Sequence, residues 1–346
     1  MNRESRLSFA SDYMEGAHPL ILRRLTETNL EKTAGYGLDE YSGSARKKIL
    51  AACGTPEAEV FFLTGGTQTN AVMIGALLRP WQGVISARSG HISVHEAGAV
   101  EFGGHKVLAL PHQDGKLTAD AVRGCVEEYL QDENRDHMVM PGMVYLSHPT
   151  EYGTLYSLAE LRSISEVCRA YGIPLYLDGA RLAYALACPE IDVTLPDLGT
   201  LCDAFYIGGT KCGALFGEAV VVPDPQLVPH LFTVIKQHGA LLAKGRIAGL
   251  QFDVLFTDGL YQQISVPAIE SADRIRKALE SKGYDLFPLS PTNQIFLRLD
   301  RSRASALSEK AEMSFIEQTE DGRVIMRIVT SWATAPEDVD RLIACL

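Results

Sequence analysis

The 346-residue chain is 46% apolar and 22% charged, an ordinary globular balance, and it is long enough for one large domain with a smaller appendage. A net charge of −11 with no offsetting basic cluster argues against a nucleic-acid partner. No stretch reaches the roughly 18 uninterrupted apolar residues of a membrane span, and Met1 to Phe9 holds no signal-peptide core, which predicts a cytoplasmic protein without membrane contact.

The seven cysteines include no C-x-x-C pair, and their odd number fits reduced thiols better than a disulfide framework or a zinc site. Residues 1–25 place Ser11, Asp12 and Tyr13 ahead of a helical pattern through Leu20, Ile21 and Leu25. Tyr36 to Ser42 reads as a loop, and Ser44 to Ala52 as a basic helix closed near Gly54. Val60 to Leu63 is a short strand that runs into Thr64, Gly65, Gly66, Thr67, Gln68, Thr69 and Asn70, then an apolar helix from Ala71 to Leu78. Glycines and hydroxyls between a strand and a helix gather free backbone N–H groups at the positive helix end, which suits a phosphate. A plain capped turn has the same composition. No lysine follows as in a Walker loop, and the G-x-G-x-x-G of a dinucleotide fold is absent.

Val84 to Ser86 is a second strand, and His91 behind it can either lie flat over a planar heterocycle or cap a helix. Asp114 and Gly115 mark a turn between a strand at Val107 to Leu110 and a helix near Ala119 to Tyr129. Met143 to Ser147 is a buried strand that leads into His148, Pro149, Thr150 and Glu151, and Ser157 with Glu160 forms a capping box for a helix stopped near Gly172.

Leu175 to Asp178 and Ala204 to Ile207 follow, each an apolar run leading to a charged residue among small ones, Asp178 in one and Lys211 in the other. Buried parallel strands deliver side chains to the sheet edge in this way, and α/β proteins bind ligands there. An unpaired ion in an apolar interior costs on the order of several kcal/mol. Either Asp178 and Lys211 form a structural ion pair, or Lys211 takes pyridoxal phosphate as a Schiff base while Asp178 keeps the pyridine nitrogen protonated. Cys212 beside the lysine reads as small-residue packing rather than as a nucleophile.

With Ala219 to Val222 as a further strand, the alternation predicts an α/β fold whose mostly parallel central sheet has helices on both faces. Lys244 and Arg246 precede an apolar helix and mark either an anion site or a solvated basic turn. From about Ser265 the pattern becomes a smaller α+β unit. It has a helix at Ala268 to Lys282, a strand at Gln294 to Leu299, a hairpin of Ser314 to Gln318 with Val324 to Val329, and a last helix boxed by Thr334 and Glu337. Arg327 inside the last strand points either to solvent or inward to a carboxylate ligand. The division expected is an N-terminal segment 1–25 forming an active-site wall, a large cofactor-binding domain 26–262 and a small domain 263–346.

In their order along the chain, the turn from Thr64 to Asn70, His91, the run Asp178-Gly179-Ala180-Arg181 and the run Gly208-Gly209-Thr210-Lys211 resemble the threonine aldolases of low specificity. These are β-eliminating lyases of the aspartate-aminotransferase-like, type I fold of pyridoxal phosphate enzymes, and the resemblance runs from Ser11 to Thr330. It implies Lys211 as the Schiff-base lysine and Asp178 as the partner of the pyridine nitrogen. Gly65, Gly66, Thr67 and Gln68 would surround the phosphate, Thr210 and Arg181 would also bind the cofactor, His91 would stack on the ring, and Ser11, Arg181 and Arg327 would hold the substrate carboxylate. It further implies a homotetramer, a dimer of dimers with active sites at the shared interface. Tyr36 and Lys244 or Arg246 would there reach the neighbouring subunit's cofactor.

One departure concerns the reaction itself. Where better-known members read Thr-His-Asn, this chain reads Thr150-Glu151-Tyr152, with His148 just upstream. Glu151, or His91 through a water, is then expected to accept the substrate's hydroxyl proton, provided burial raises its pKa. The activity implied is retro-aldol cleavage of β-hydroxy-α-amino acids, threonine or allo-threonine to glycine and acetaldehyde. Aminotransferase or β-eliminating lyase chemistry on the same scaffold and a silent binding protein are the competing readings. A nicotinamide oxidoreductase lacks its glycine motif.

Overall fold

In the computed structural model, which describes residues 7–346, the short apolar runs become strands β1 (Leu7–Ser8), β2 (Glu59–Leu63), β3 (Gln82–Ala87), β4 (Val107–Leu110), β5 (Met140–Ser147), β6 (Leu175–Asp178), β7 (Ala204–Gly208) and β8 (Glu218–Val222). The C-terminal part adds β9 (Gln294–Leu299), β10 (Ala311–Glu312), β11 (Ser314–Gln318) and β12 (Val324–Val329). Residues 1–6, which open the expected N-terminal segment and the stretch read for a signal peptide, lie outside the described residues.

Seven strands form the central sheet in the order β2-β8-β7-β6-β5-β3-β4. Every neighbouring pair is parallel except those of β8, which runs antiparallel to both β7 and β2. The reason is the length of the connection. A parallel return needs a crossover of a dozen or more residues, and β7 is joined to β8 by Gly209 to Gly217 alone. That short turn carries Lys211.

Period-two alternation divides the strands between two cores. Tyr145, Tyr176 and Tyr206 pack on one face, while Leu146, Leu177 and Phe205 pack on the other. Every residue of β6, β7 and β8 is buried, as expected for a sheet covered by helices on both faces. A third core belongs to the C-terminal unit, where the antiparallel sheet β11-β12-β9 packs on the helix Val266–Ser281. Leu7 and Phe9 join that core, and β1 pairs with β10.

Three local expectations are corrected. The helix after β2 begins at Gly66 rather than Ala71, so the glycine and hydroxyl turn is the first helical turn itself. The helix expected from Ser44 begins at Glu40, because the Asp39 side chain caps it by accepting from the Ser42 N–H. The capping box expected at the last helix does not form: Ala335 is the N-cap, and the Thr334 hydroxyl instead accepts from the Ser331 N–H.

Two glycines bring the ends of β6 and β7 together. The Gly208 N–H donates to the Gly179 carbonyl at 3.0 Å. A Cβ on Gly179 would stand 2.1 Å from the Tyr206 carbonyl oxygen, and one on Gly208 would stand 2.4 Å from that of Ala180. Gly208→Ala should therefore destabilise the protein by about 2 kcal/mol, the cost of overpacking against backbone. Urea unfolding checks this as a lower midpoint with an unchanged slope.

Candidate active site

Because Asp178 lies two residues beyond Tyr176, it projects to the same face as Tyr145 and Tyr206. Its buried carboxylate accepts four hydrogen bonds. The Tyr206 hydroxyl at 2.5 Å and the Ala180 N–H at 3.0 Å reach Oδ1; the Tyr145 hydroxyl at 2.6 Å and the Asn70 amide at 3.0 Å reach Oδ2. Burial alone would raise its pKa, but the His91 imidazole and these donors outweigh burial and hold it below the ordinary carboxylate range. Asn70 extends the network. Its amide also donates to Glu96 Oε1 at 2.7 Å, and that oxygen stands 2.6 Å from His91 Nδ1, which fixes the imidazole ring.

Lys211 lines a 160 Å³ cavity together with Asp178, His91, Gly66 and Thr67. Burial, then the nearby Arg181, lower its pKa. Asp178 and Lys211 thus face one cavity, and His91 lines its wall.

At the phosphate end, Gly65 is the N-cap of the helix Gly66–Leu77 and supplies no side-chain cap. Gln68 does not turn back to cap it either, since its Oε1 accepts from the Thr64 N–H and hydroxyl. A Cβ on Gly66 would come within 3.1 Å of the Tyr206 hydroxyl, so glycine keeps that wall open. The Thr210 hydroxyl is engaged elsewhere: it donates to Glu218 at 2.8 Å and accepts from the Gly217 N–H at 3.0 Å.

A wider cavity of 670 Å³ adjoins and holds Lys211, Arg181, Arg327, Glu151 and Tyr152. Arg327 therefore points inward. Its Nη1 donates to Gln294 Oε1 at 2.8 Å, while its buried Nε has no partner among the described residues. Burial and then Arg181 bring its pKa down to about 10, the signature of a cation short of a counter-charge. Arg181 has such a counter-charge in Asp12, paired at 2.7 Å and 3.0 Å. Burial acts to raise the Asp12 pKa, but Arg181, Lys211 and Asn293 hold it at about 2. Ser11 Oγ is buried beside this pair in the chain and has no partner.

Glu151 lines both cavities. Both of its hydrogen bonds fall on Oε1, from the Ser147 hydroxyl at 2.6 Å and the His91 N–H at 2.7 Å. Burial raises its pKa against those donors. His148 lines neither cavity. It is fully buried, its Nδ1 accepts from the Tyr156 N–H at 3.4 Å, and burial lowers its pKa to about 4. Burial pushes the Cys212 thiol up, which leaves no thiolate beside Lys211.

Tyr36 lies apart, in a 260 Å³ cavity with Arg46, Phe232 and Gly245. Its backbone N–H donates to the Ala243 carbonyl at 3.1 Å, and Arg246 donates to the Thr28 hydroxyl at 3.2 Å, so Tyr36, Lys244 and Arg246 share one corner of the chain. Tyr145, Tyr206, Asn70, Glu96, Asp12 and Glu218 are site residues that sequence reasoning did not single out. Only Tyr145 and Tyr206 left a signal there, their shared face with Asp178.

The residues present fit pyridoxal phosphate. An uncapped helix start suits its phosphate, a carboxylate held ionised suits its ring nitrogen, a half-buried amine with a lowered pKa suits its aldehyde, and Arg327 awaits an anion. A family model described as β-eliminating lyase matches residues 8–306. The chain is 29% identical over 344 residues to the low specificity L-threonine aldolase of Pseudomonas sp., covering 97% of this chain and 96% of that relative. Identity to the corresponding protein of Pseudomonas aeruginosa is also 29%, over 96% of this chain and 95% of the relative. Among solved structures it is similar to a Leishmania major threonine aldolase, with a TM-score of 0.94, 42% identity and 98% of each chain covered. An aspartate aminotransferase from Thermus thermophilus, at 15% identity and a TM-score of 0.74 over 98% of this chain and 90% of that one, shares the fold alone. The fold is the type I fold of pyridoxal phosphate enzymes, and no described helix is long and apolar enough to cross a membrane. On matched length and architecture together, the chain belongs to the β-eliminating lyase family.

Proposed function

We propose that this protein is a pyridoxal phosphate-dependent aldehyde-lyase that cleaves the Cα–Cβ bond of β-hydroxy-α-amino acids, threonine to glycine and acetaldehyde. The observation that carries the reading is Glu151, a half-buried carboxyl with a raised pKa on the wall shared by the lysine cavity and the substrate cavity. Its Oε2 makes no hydrogen bond among the described residues, so that oxygen is available to a substrate hydroxyl.

When bound, pyridoxal phosphate supplies an aldehyde for an amine and a cationic ring that accepts the electron pair of a broken Cα bond. Lys211 holds the cofactor, and Asp178 keeps a negative charge against the ring nitrogen. Gly65, Gly66, Thr67 and Gln68 present the helix start to the phosphate, and His91, fixed by Glu96, forms the ring's wall. Arg327 takes the substrate carboxylate with its free Nε, Arg181 is steered by Asp12, and Ser11 adds a hydroxyl. A substrate clamped at its carboxylate turns the β-hydroxyl toward Glu151, which removes the hydroxyl proton as the aldehyde leaves.

Tyr36, Lys244 and Arg246 support the expected dimer of dimers, because none of them lines either cavity that holds their own chain's Lys211, which leaves them to serve a neighbour's site. The protein acts on a small amino acid, in the cytoplasm.

Glu151→Gln should lower cleavage of L-threonine by about 10²- to 10⁴-fold while the cofactor's absorbance and its borohydride trapping on Lys211 persist. A carboxyl with a raised pKa serves as base only above that pKa, so wild-type turnover should fall as pH drops through it, and the variant should lose this dependence. Unchanged turnover in Glu151→Gln would remove the residue from the reaction.

His148 separates the other candidate base by stability. Its pKa is depressed in the fold, so protonation at 6.5 favours the unfolded chain; stability is full above pH 6.5 and is lost as pH falls toward about 4. Over that window the wild type should lose about 3 kcal/mol relative to His148→Gln, measured by urea unfolding at each pH, with the turnover profile of the variant left in place.

A further inference from the structure

The side chain of Glu218 has no part in the steps above, yet it lies in the same small cavity as Lys211. In register, Glu218 opposes Gly208 at the end of β7 and Leu63 at the end of β2. It therefore sits between the turn that carries the lysine and the helix start that faces the phosphate. The side chain is 3% exposed. Oε2 accepts from the Gly209 N–H at 3.1 Å and Oε1 from the Thr210 hydroxyl at 2.8 Å.

A hydroxyl has a single proton to give. While Glu218 is ionised it takes that proton, and Thr210 cannot donate to an anion in the cavity. A protonated Glu218 reverses the bond: its own O–H donates to Thr210 Oγ, and the threonine proton is released toward the cavity. Lys211 sets the complementary demand, because an ammonium has no lone pair with which to attack a carbonyl and must first shed a proton inside a closed site.

Two carboxyls with raised pKa line this cavity; Glu151 stands on the wall shared with the substrate cavity, and Glu218 is the acceptor on the side of the lysine turn. Asp178 is held ionised by four donors, and burial pushes Tyr176, Tyr206, Tyr261 and Cys212 up. Glu218 itself is pushed up to about 7 by burial, against the pull of Thr210 and Lys211. It therefore can gain or lose a proton near neutral pH, where Asp178 stays ionised and those tyrosines and Cys212 stay protonated.

We propose that Glu218 is the proton-holding and positioning partner of Lys211: the ammonium's proton passes to the Glu218 carboxylate, and the resulting acid turns the Thr210 hydroxyl toward the cofactor's phosphate. The exchange converts an ammonium and a carboxylate into an amine and a carboxylic acid, so the buried site keeps its net charge. This inference rests on Lys211 being the cofactor lysine, as proposed above.

Infrared difference spectra of apoprotein before and after addition of pyridoxal phosphate at pH 8, with isotope-labelled glutamate, test the proton. The wild type should gain the C=O band of a protonated carboxyl, and Glu218→Gln should not. No new band in the wild type, or the same band in the variant, overturns the proposal. Borohydride trapping on Lys211 separates the two levels: trapping elsewhere sinks the lysine assignment, whereas trapping on Lys211 without the band sinks only the role of Glu218.

Inorganic phosphate binding to the apoprotein tests the positioning. The amide of Glu218→Gln donates permanently to Thr210, so the variant should bind phosphate about tenfold tighter than wild type at pH 8, a charge-assisted hydrogen bond's worth. At pH 5.5, where Glu218 is itself protonated, the two should agree. Equal affinities at both pH values contradict the proposal. Thr210→Val, which keeps Glu218 but has no hydroxyl, should remove any extra affinity on acidification that wild type shows beyond the change in phosphate charge, and it decides the question should Glu218→Gln fail to fold.

Discussion

A carboxylate kept ionised inside an apolar sheet is the constraint on which the rest of the site depends. Asp178 loses its water at the end of β6, and four donors replace that water, two of them tyrosine hydroxyls from β5 and β7. Desolvation of a charge costs several times what one hydrogen bond returns, so the donors have to be in place before any ligand arrives. The glycines at the ends of β6 and β7 have the same purpose in the backbone, since only close approach of those strands sets Tyr206 and Asp178 at 2.5 Å. The antiparallel β8 then follows from the short turn that aims Lys211 back at this carboxylate.

Most strands were legible as apolar runs because β5, β6, β7 and β8 are covered on both faces and carry no polar alternation. Helix starts were less legible. Glycine reads as a breaker, and the helix at Gly66 forms because its apolar residues Val72, Met73 and Ile74 pack against the sheet. Thr334 and Glu337 had the spacing of a capping box, but the threonine hydroxyl found a nearer donor in Ser331. Asp178 and Lys211 stood out from local pattern, whereas that pattern left His91 and Arg327 open and the resemblance alone chose between their readings. Asn70 could not be found in it, as it meets Asp178 from 108 positions away, nor could Asp12, which meets Arg181 across 169. Such contacts are a product of topology, and no window of sequence holds both partners.

The four carboxyls around Lys211 fall into two classes by the donors each one has. Asp178 and Asp12 receive four and three hydrogen bonds, the latter including two from a guanidinium, and both lie below the ordinary range. Glu151 and Glu218 receive two each, and both are raised. Asp12, Asp178 and Glu218 are all buried, so desolvation alone does not separate the raised Glu218 from the two aspartates; the number and charge of the donors does, and half-buried Glu151 follows the same pattern. Environments that push neighbouring acids apart in pKa divide the labour of a site between fixed charge and movable proton. In the reaction proposed above, the aspartates would hold charges that do not change, one for the ring and one for Arg181. The glutamates stand where protons must move, Glu151 toward the substrate and Glu218 toward the lysine. The longer side chain suits the second task, because its carboxyl reaches into the cavity from a strand position whose backbone is already committed to the sheet.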